Sequence, residues 1–283
     1  MRAVITQVAA SLREFTIDGV NVTVPYDEAI TPPFASGSVL VPWPNRVKDG
    51  SWTLNGIEQQ LDITEPAKHN AIHGLLRFSG YTVASRAEAS IVLAAPIYAQ
   101  HGYPFRLDTT VTYDLREDEL AVTHAVTNRS AVAAPVAIGT HPFLTIGNVA
   151  PEELVLTVHA NTRFEVDDRL NPIRELPVDG DYDLRSGRVL GELYLDDAFG
   201  DVESVDGVSA KLTAPDGREV RLKQDDQFGF VQIFTTRRMP GTTLAVALEP
   251  MTAPPNAFNS GQGVRWVQPG ETWTASWGIQ YVR

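Results

Sequence analysis

The sequence predicts an all-β protein, built as a large antiparallel sandwich or a related twisted sheet. Three features of the 283-residue chain indicate this class. Apolar and polar residues alternate with a period of two in many segments, whereas the period of an amphipathic helix is nearly absent. Turn residues separate these segments, and the 21 glycines and 19 prolines are spread along the chain instead of being gathered in one linker. We therefore expect few or no helices and a single domain over residues 1–283.

Two predicted hairpins carry the clearest strand patterns. Residues 107–115 alternate, and after a charged turn residues 120–126 form the returning strand. Residues 209–213 and 219–223 flank Pro215-Asp216-Gly217, a turn sequence with the backbone freedom that a hairpin requires. Further strands are predicted at residues 4–9, 21–24, 154–158, 230–235, 243–248 and 272–281.

Composition and charge exclude several classes of protein. The chain has no cysteine, which excludes a disulfide scaffold, a thiolate zinc site and a cysteine nucleophile. Its 35 acidic and 23 basic residues give a net charge of −12 without a basic cluster, so we expect no nucleic-acid partner. The most apolar run, residues 91–99, is shorter than the ~20 residues of a membrane-spanning helix. Charges at Arg13 and Glu14 interrupt the apolar N-terminal residues, which argues against a signal peptide. We expect a cytoplasmic protein whose partner is a small molecule.

Four segments place polar residues where strand patterns would not. In the first, at residues 41–50, two prolines stiffen the chain before Asn45 and Arg46. A rigidly held guanidinium suits hydrogen bonding to vicinal hydroxyls or to a carboxylate. The alternative is a surface turn in which Arg46 bonds the carbonyl groups of its own loop. The residues alone leave both interpretations open.

The second segment contains His69 and His73, spaced as two metal ligands on a helix would be. Gly74 and the β context argue against a helix, and no carboxylate within the segment completes a zinc site. A structural role for either histidine is the alternative. In the third segment, Pro142 follows His141, so His141 is expected at a strand end with its ring facing a cavity.

The fourth segment is the apolar strand that ends in Glu249. A lone buried carboxylate costs several kcal/mol, so Glu249 requires donors, a partner or a function. A neighbouring signal is the pair Asp196-Asp197 between apolar residues. In one interpretation, one carboxylate caps a turn and the other binds ligand hydroxyls. Taken alone, the pair favours the other interpretation, in which it only shapes a turn.

Taken in order, these segments resemble the aldose 1-epimerase family, also called galactose mutarotases, and specifically a shorter bacterial branch of it. The resemblance spans nearly the whole chain. It is carried by short motifs in a compatible order: Asn45-Arg46-Val47, Asp49-Gly50, Trp52-Thr53-Leu54-Asn55-Gly56, Asn70-Ala71-Ile72-His73-Gly74, His141-Pro142-Phe143, Leu195-Asp196-Asp197-Ala198-Phe199, Val231-Gln232-Ile233-Phe234-Thr235, Glu249-Pro250 and Pro255-Asn256-Ala257-Phe258.

The resemblance implies an antiparallel β-supersandwich with a sugar cleft on its concave face. It also implies interconversion of the α and β anomers of a free aldose without a metal or another cofactor. Glu249 would be the general base on the anomeric hydroxyl, and His141 the general acid at the ring oxygen. This role requires His141 to be cationic near neutral pH, which a nearby carboxylate would favour. The substrate-binding residues implied by the motifs are Asn45, Arg46, His73, Arg77, Asp196 and Gln232, with Asp197 as the alternative to Asp196.

Three other functions remain open from the sequence. The stretch from Gly74 to Arg77 resembles the hexose-6-phosphate 1-epimerase branch, where basic side chains hold a phosphate, and Lys48 is a candidate second cation. A non-catalytic carbohydrate-binding module would keep the cleft without turnover. The last alternative is a polysaccharide lyase or a glycosidase of the same sandwich. A glycosidase would need a second carboxylate beside Glu249, for which only Asp196 or Asp197 is available. We expect a monomer or a homodimer.

Overall fold

Antiparallel strands dominate the computed structural model, which describes all 283 residues and confirms the predicted all-β class. It contains 26 strands, four short 3-10 turns and one four-residue α-helix, α1 (Ala257–Ser260). That helix is too short to cross a membrane, and the chain has no other α-helix.

Two large sheets contain most of the strands. The nine-stranded sheet has the order β19-β16-β21-β22-β26-β12-β11-β10-β9. Its strands are β9 (Thr82–Arg86), β10 (Ser90–Ile97), β11 (Leu107–Arg116), β12 (Glu119–Asn128), β16 (Val155–Val158), β19 (Arg188–Val189), β21 (Ala210–Thr213), β22 (Glu219–Gln224) and β26 (Thr272–Val282).

The eight-stranded sheet has the order β18-β17-β20-β23-β24-β14-β4, and β15 also pairs with β24. Its strands are β4 (Val39–Leu40), β14 (Gly139–Thr140), β15 (Phe143–Leu144), β17 (Ala160–Val166), β18 (Pro172–Pro177), β20 (Asp196–Val202), β23 (Phe230–Thr236) and β24 (Ala245–Met251).

Four small sheets complete the structure. They consist of β1 (Arg2–Ile5), β2 (Leu12–Ile17) and β3 (Val20–Asn21); β5 (Arg46–Lys48) and β8 (Asn70–Ile72); β6 (Ser51–Leu54) and β7 (Ile57–Gln60); and β13 (Ala134–Val136) with β25 (Arg265–Val267).

The main apolar core lies between the two large sheets. One continuous cluster of buried side chains includes Leu156 and Ile279 from the nine-stranded sheet and Val231, Ile233 and Leu248 from the eight-stranded sheet. Because side chains on a strand point alternately to opposite faces, the residues between these core positions lie on the other face of the eight-stranded sheet. That face carries the candidate site.

Both predicted hairpins are confirmed. β11 pairs with β12 over ten residue pairs, and β21 pairs with β22 across the Pro-Asp-Gly turn. The prediction for residues 4–9 is wrong at its C-terminal end, since Ala9 and Ala10 adopt positive φ angles of 53° and 46°. The chain therefore turns there and returns as β2, which the sequence analysis did not predict.

Candidate active site

A cleft of about 210 Å³ lies on the outer face of the eight-stranded sheet. It brings together predicted site residues that are far apart in the chain. Asn45 and Glu249, the first and last of them, are separated by 204 positions. Seven of the eight predicted site residues line the cleft: Asn45, Arg46, His73, Arg77, His141, Asp196 and Glu249. The eighth, Gln232, lies behind Asp196, to which it is hydrogen bonded.

An interrupted strand pairing places His141 against Glu249. Two short strands, β14 and β15, pair with β24 in one continuous register. The observed pairs are Gly139 with Met251, Phe143 with Ala247 and Leu144 with Val246. In this register the residue between the two short strands, His141, lies opposite Glu249. Pro142 breaks the strand there because it has no N–H, while its carbonyl still accepts the N–H of Leu248 at 3.1 Å.

His141 and Glu249 are in direct contact. The distance from His141 Nε2 to Glu249 Oε1 is 3.2 Å, and the two side chains are only 7% and 2% exposed. His141 Nδ1 and Glu249 Oε2 have no hydrogen-bond partner, and neither has His73 Nδ1. Buried polar atoms are nearly always paired in folded proteins, so three such atoms around one cleft indicate a site for a polar ligand.

Burial dominates the electrostatics of this pair. It raises the pKa of Glu249 well above the usual 4.5, and the negative charge of Asp196 acts in the same direction while Arg46 opposes it. Burial also lowers the pKa of His141 to about 3, with the cations Arg77 and Arg46 contributing. Both shifts run against the cationic His141 that the implied role requires. The neutral imidazole beside the neutral carboxylic acid is the favoured form.

Arg46 is held by an ion pair that the sequence analysis did not predict. Its Nε and Nη2 donate to the two carboxylate oxygens of Glu65 at 2.8 and 2.9 Å. Asn45 Oδ1 accepts from the Arg46 backbone N–H at 2.9 Å. The alternative of a surface turn, in which Arg46 bonds the carbonyl groups of its own loop, is therefore wrong. Asn45 also stabilises the conformation of the loop. It adopts a positive φ of 52°, and its backbone carbonyl accepts the N–H of His73.

His73 and His69 have different environments, although they are four residues apart. Strand β8 separates them, so the helix that a metal site would use is absent. His73 is buried in the cleft, with its ring centroid 5.5 Å from that of His141. Burial lowers the pKa of His73 well below 6.5, with the charges of His141, Arg77 and Arg46 adding to the effect. His69 is exposed and pairs with Asp49. No group of three or more His, Asp or Glu side chains is arranged to hold a metal ion.

The carboxylate pair on β20 is divided between two environments. Asp196 lines the cleft and accepts a hydrogen bond from Gln232 Nε2 at 2.8 Å. Asp197 does not line the cleft, and its Oδ2 accepts the backbone N–H of Asp196. Burial raises the pKa of Asp196, and Arg46 and Gln232 oppose that effect. The geometry thus favours Asp196 over Asp197 as the residue that meets a ligand.

Arg77 lies in the cleft without an acidic partner. It makes no ion pair or side-chain hydrogen bond, and its buried Nε has no partner. Burial lowers its pKa from the ordinary value of 12.5. Lys48, the other expected cation, does not line the cleft and has its Nζ 3.9 Å from Asp167 Oδ2. The cleft therefore contains one guanidinium that forms no ion pair, although the negative charge of Glu65 acts on it.

Six of the residues that line the cleft were not predicted as site residues: Phe34, Ala35, Thr64, Glu65, Ile72 and Phe234. Glu65 follows no recognisable pattern in the chain. Phe34 and Phe234 form an aromatic wall, with ring centroids 5.7 Å apart. A signal for Phe234 was present, because it lies two positions after Gln232 on β23 and therefore shares its face of the sheet.

Comparisons with known proteins agree with this fold. A family model for aldose 1-epimerase matches residues 1–280. An uncharacterized protein of Escherichia coli K12, YihR, is 33% identical over 272 residues, which cover 95% of this chain and 86% of that protein.

Solved structures are similar along almost the full length. A galactose mutarotase-like protein from Clostridium acetobutylicum superposes with a TM-score of 0.87 at 19% identity, covering 99% of this chain and 92% of that one. A galactose 1-epimerase from Lactobacillus acidophilus gives a TM-score of 0.82 at 17% identity, covering 99% and 90%. The fold is therefore galactose mutarotase-like, and the chain belongs to the aldose 1-epimerase family.

Proposed function

We propose that this protein is an aldose 1-epimerase that interconverts the α and β anomers of a free aldose. The observation that carries the proposal is the contact between His141 Nε2 and Glu249 Oε1, 3.2 Å apart at the buried end of a polar cleft. An acid and a base so close together can reach the two oxygens bonded to one anomeric carbon. Membership of the aldose 1-epimerase family supports the proposal.

The reaction requires two proton transfers in each direction, and the protein ends with the same protonation as it began. Glu249 as carboxylate removes the proton from the anomeric hydroxyl, while protonated His141 gives a proton to the ring oxygen. The bond between the anomeric carbon and the ring oxygen breaks, and an open-chain aldehyde forms. Rotation about the adjacent carbon–carbon bond presents the other face of the carbonyl, and ring closure reverses both proton transfers. Each positioned acid or base typically contributes ~10² to 10⁴ in rate.

The resting pair already contains the one proton that this chemistry needs. A neutral Glu249 with a neutral His141 differs from a carboxylate with an imidazolium only in which residue holds that proton. Burial favours the neutral form in the free protein. Sugar hydroxyls that donate to Glu249 and a ring oxygen that accepts from His141 would favour the charged form, because hydrogen bonds to an ionised group stabilise it.

The other cleft residues supply binding groups for a sugar. Arg46 and His73 lie beside the acid–base pair and are assigned to the hydroxyls nearest the reacting carbon. Asp196, held by Gln232, is assigned to a more distant hydroxyl. The wall formed by Phe34 and Phe234 offers an apolar surface for the C–H groups of a sugar ring.

A second candidate substrate is a phosphorylated aldose. Its support is Arg77, the one cleft cation without an acidic partner. A guanidinium of this kind binds a phosphate through charge-assisted hydrogen bonds. Because Lys48 is outside the cleft, the second cation that a phosphate site usually contains is missing. The free aldose is therefore the favoured substrate.

Proton NMR saturation exchange between the α and β anomeric signals tests the proposal directly. The panel contains free aldoses and their 6-phosphates at equal concentration. We expect accelerated exchange with at least one free aldose. A protein that binds sugars but accelerates exchange for none of them would instead be a carbohydrate-binding module. A separate incubation with glycosides tests the glycosidase alternative, which release of free sugar would indicate. Exchange only with 6-phosphates, abolished in Arg77→Ala, would establish the second candidate.

A further inference from the structure

A chain of polar contacts runs from the cleft to a loop outside it. Arg46 is only 8% exposed, so its charge needs a partner within the protein. Glu65 supplies two parallel hydrogen bonds, of 2.8 and 2.9 Å. Such a bidentate pair fixes the plane of a guanidinium as well as its position. The orientation of Arg46 in the cleft therefore depends on the orientation of Glu65.

Glu65 is in turn held by Asn70, which is fully buried. Asn70 Nδ2 donates to Glu65 Oε2 at 3.2 Å, and the backbones of the two residues exchange hydrogen bonds of 3.0 and 3.3 Å. The backbone bonds fix where Glu65 leaves the chain. The side-chain bond selects one of the rotamers available to the Glu65 carboxylate. The orientation of the Asn70 amide therefore influences the orientation of Arg46.

Arg169, from the loop between β17 and β18, fixes that amide from the other side. Its Nη2 lies 3.4 Å from Asn70 Oδ1, and Asn70 Nδ2 donates to the Arg169 carbonyl at 3.0 Å. Two further bonds dock the guanidinium on the segment before Asn70, to Lys68 O and His69 O, both at 2.8 Å. A third bond goes to Asp49 Oδ1, after β5, at 2.7 Å. Arg169 does not line the cleft.

The loop that carries Arg169 has a defined conformation of its own. Asp167 Oδ1 accepts the backbone N–H groups of Arg169 and Asn171, both at 2.9 Å. The loop therefore presents Arg169 in one orientation, and the guanidinium acts as a fixed support for the segment containing Asn70. Among the contacts of Arg169, those with Asn70 end on a side chain that itself bonds Glu65.

We infer that Arg169 is a positioning residue for the cleft, acting on Arg46 through Asn70 and Glu65. Without the Arg169 guanidinium, Asn70 Oδ1 loses its donor and the loop that carries the Arg169 carbonyl loses its bonds to Lys68, His69 and Asp49. The Asn70 amide is then held less firmly, and the Glu65 carboxylate gains alternative orientations. Arg46 follows Glu65 and spends less time in the orientation that meets the sugar. The consequence for turnover rests on the proposed function, whereas the consequence for the Arg46 side chain does not.

The first measurement needs no substrate. The Arg46 Nε–H signal in nitrogen-15 NMR is identified by its loss in Arg46→Lys. We expect Arg169→Gln to shift or broaden it, and the matched control Arg174→Gln, an exposed arginine of β18 paired with Glu165, to leave it unchanged. An Arg46 signal that is identical in Arg169→Gln and the wild type overturns the inference. Should Arg169→Gln fail to fold, Asn70→Ser at the next link is measured against the same criterion.

The second measurement is kinetic. We expect Arg169→Gln to lower kcat/KM for the active aldose about tenfold, mainly through KM, and Arg169→Lys to recover part of the loss. Equal losses in Arg169→Gln and Arg174→Gln, or a loss that only follows a lower melting temperature, would contradict a positioning role. If the wild type accelerates no anomer exchange, the proposed function fails, and the Arg46 signal still decides this inference.

Discussion

Glu249 and His141 show why the identity of two residues does not settle their protonation. The sequence motifs suggested a carboxylate base and an imidazolium acid. In the structure, burial raises the pKa of one and lowers the pKa of the other, so the free protein favours the opposite location of the shared proton. The chemistry remains available, because the pair titrates as a unit and needs only one proton.

Removing either partner is expected to abolish catalysis. Glu249→Gln keeps the shape of the side chain but cannot accept the hydroxyl proton, and His141→Asn cannot deliver a proton to the ring oxygen. We expect each variant to lower the rate of anomer exchange by ~10² to 10⁴. The control is Glu58→Gln on the exposed strand β7. A rate within threefold of wild type in either cleft variant would show that its assigned role is wrong.

The pH profile follows from the same pair. The pair loses its base when both groups are protonated and its acid when both are deprotonated. Because burial lowers the pKa of His141 to about 3, the acid side of the kcat/KM profile should lie well below 6.5. The profile should be broad, since the pKa of Glu249 moves in the opposite direction. Initial rates, measured where circular dichroism shows a folded protein, check this. If activity on the acid side of the profile were half-maximal near pH 6.5, the burial argument would be contradicted.

Asp196 and Asp197 give a test of alternation on β20. We expect Asp196→Asn to raise KM about tenfold or more, because a charge-assisted hydrogen bond is worth ~1.5–3 kcal/mol. Asp197→Asn should change KM by less than threefold, since its carboxylate bonds the backbone and not the cleft. Steady-state kinetics of the two variants decide the matter, and the reverse order of effects would exchange the two assignments.

At the scale of elements, the site depends on places where regular strands stop. His141 follows β14, His73 follows β8, and Asn45 precedes β5. Both His73 and Asn45 have positive φ angles, of 65° and 52°. Backbone strain of this kind persists where the surroundings hold it in place, and it is common at functional sites.

Gly74 is the element-scale support for His73. Its φ is +72°, and a Cβ there would lie 2.2 Å from the carbonyl oxygen of Val41. Gly207 has a similar φ of +80° with open space around it. Any alanine at such a φ costs ~1–2 kcal/mol. We expect Gly207→Ala to cost that much and Gly74→Ala to cost ~1–3 kcal/mol more, because the chain must move to relieve the overlap.

Denaturant unfolding measures both glycine variants. Gly74→Ala should also lose anomer exchange activity, because any relief of the overlap displaces His73. Equal changes in the free energy of unfolding for the two variants would mean that the close approach of Gly74 to Val41 does not add to the cost of the alanine.

Sequence patterns predicted the strands and hairpins that are determined by residue alternation and by local turns. The hairpin β11–β12 was predicted because its alternation is long and unbroken. β24 was predicted as a strand, but Glu249 was read as the end of an apolar run. The structure shows that Val246 and Leu248 lie in the main core, whereas Glu249 lines the cleft on the other face of the sheet. Ala247 packs in a separate small apolar cluster with Phe143 and Met239. Alternation within this run would have resolved the apparent anomaly of a buried charge.

What could not be predicted depends on contacts between loops. Glu65 reaches Arg46 over 19 positions and Arg169 reaches Asn70 over 99. Neither contact leaves a periodic pattern, because loop residues are placed by the tertiary structure and not by the repeat of a strand. The family resemblance named Arg46, yet only the structure identifies which carboxylate neutralises it.

At the scale of the whole molecule, the core between the sheets contains a buried histidine that the proposed chemistry does not use. His124 on β12 is 2% exposed, and its Nε2 accepts the indole N–H of Trp277 on β26 at 3.0 Å. Burial lowers the pKa of His124 to about 3. The folded protein thus binds this proton less readily than the unfolded chain, whose histidine titrates near 6.5.

This difference predicts acid sensitivity with a definite range. Above pH 6.5 the neutral His124 is retained at no cost. As the pH falls from 6.5 towards 3, the His124 site gains a proton in the unfolded state that it lacks in the folded state. His124 thereby contributes a decline in the free energy of unfolding of about 1.4 kcal/mol for each pH unit, in addition to that from His141 and His73. We expect His124→Gln, whose amide oxygen can still accept from Trp277, to flatten the decline between pH 6 and 4. Urea unfolding at several pH values measures the slope. His101→Gln, an exposed histidine paired with Asp62, is the control and should keep the wild-type slope. Parallel curves for His124→Gln and wild type would show that His124 does not contribute to the acid sensitivity.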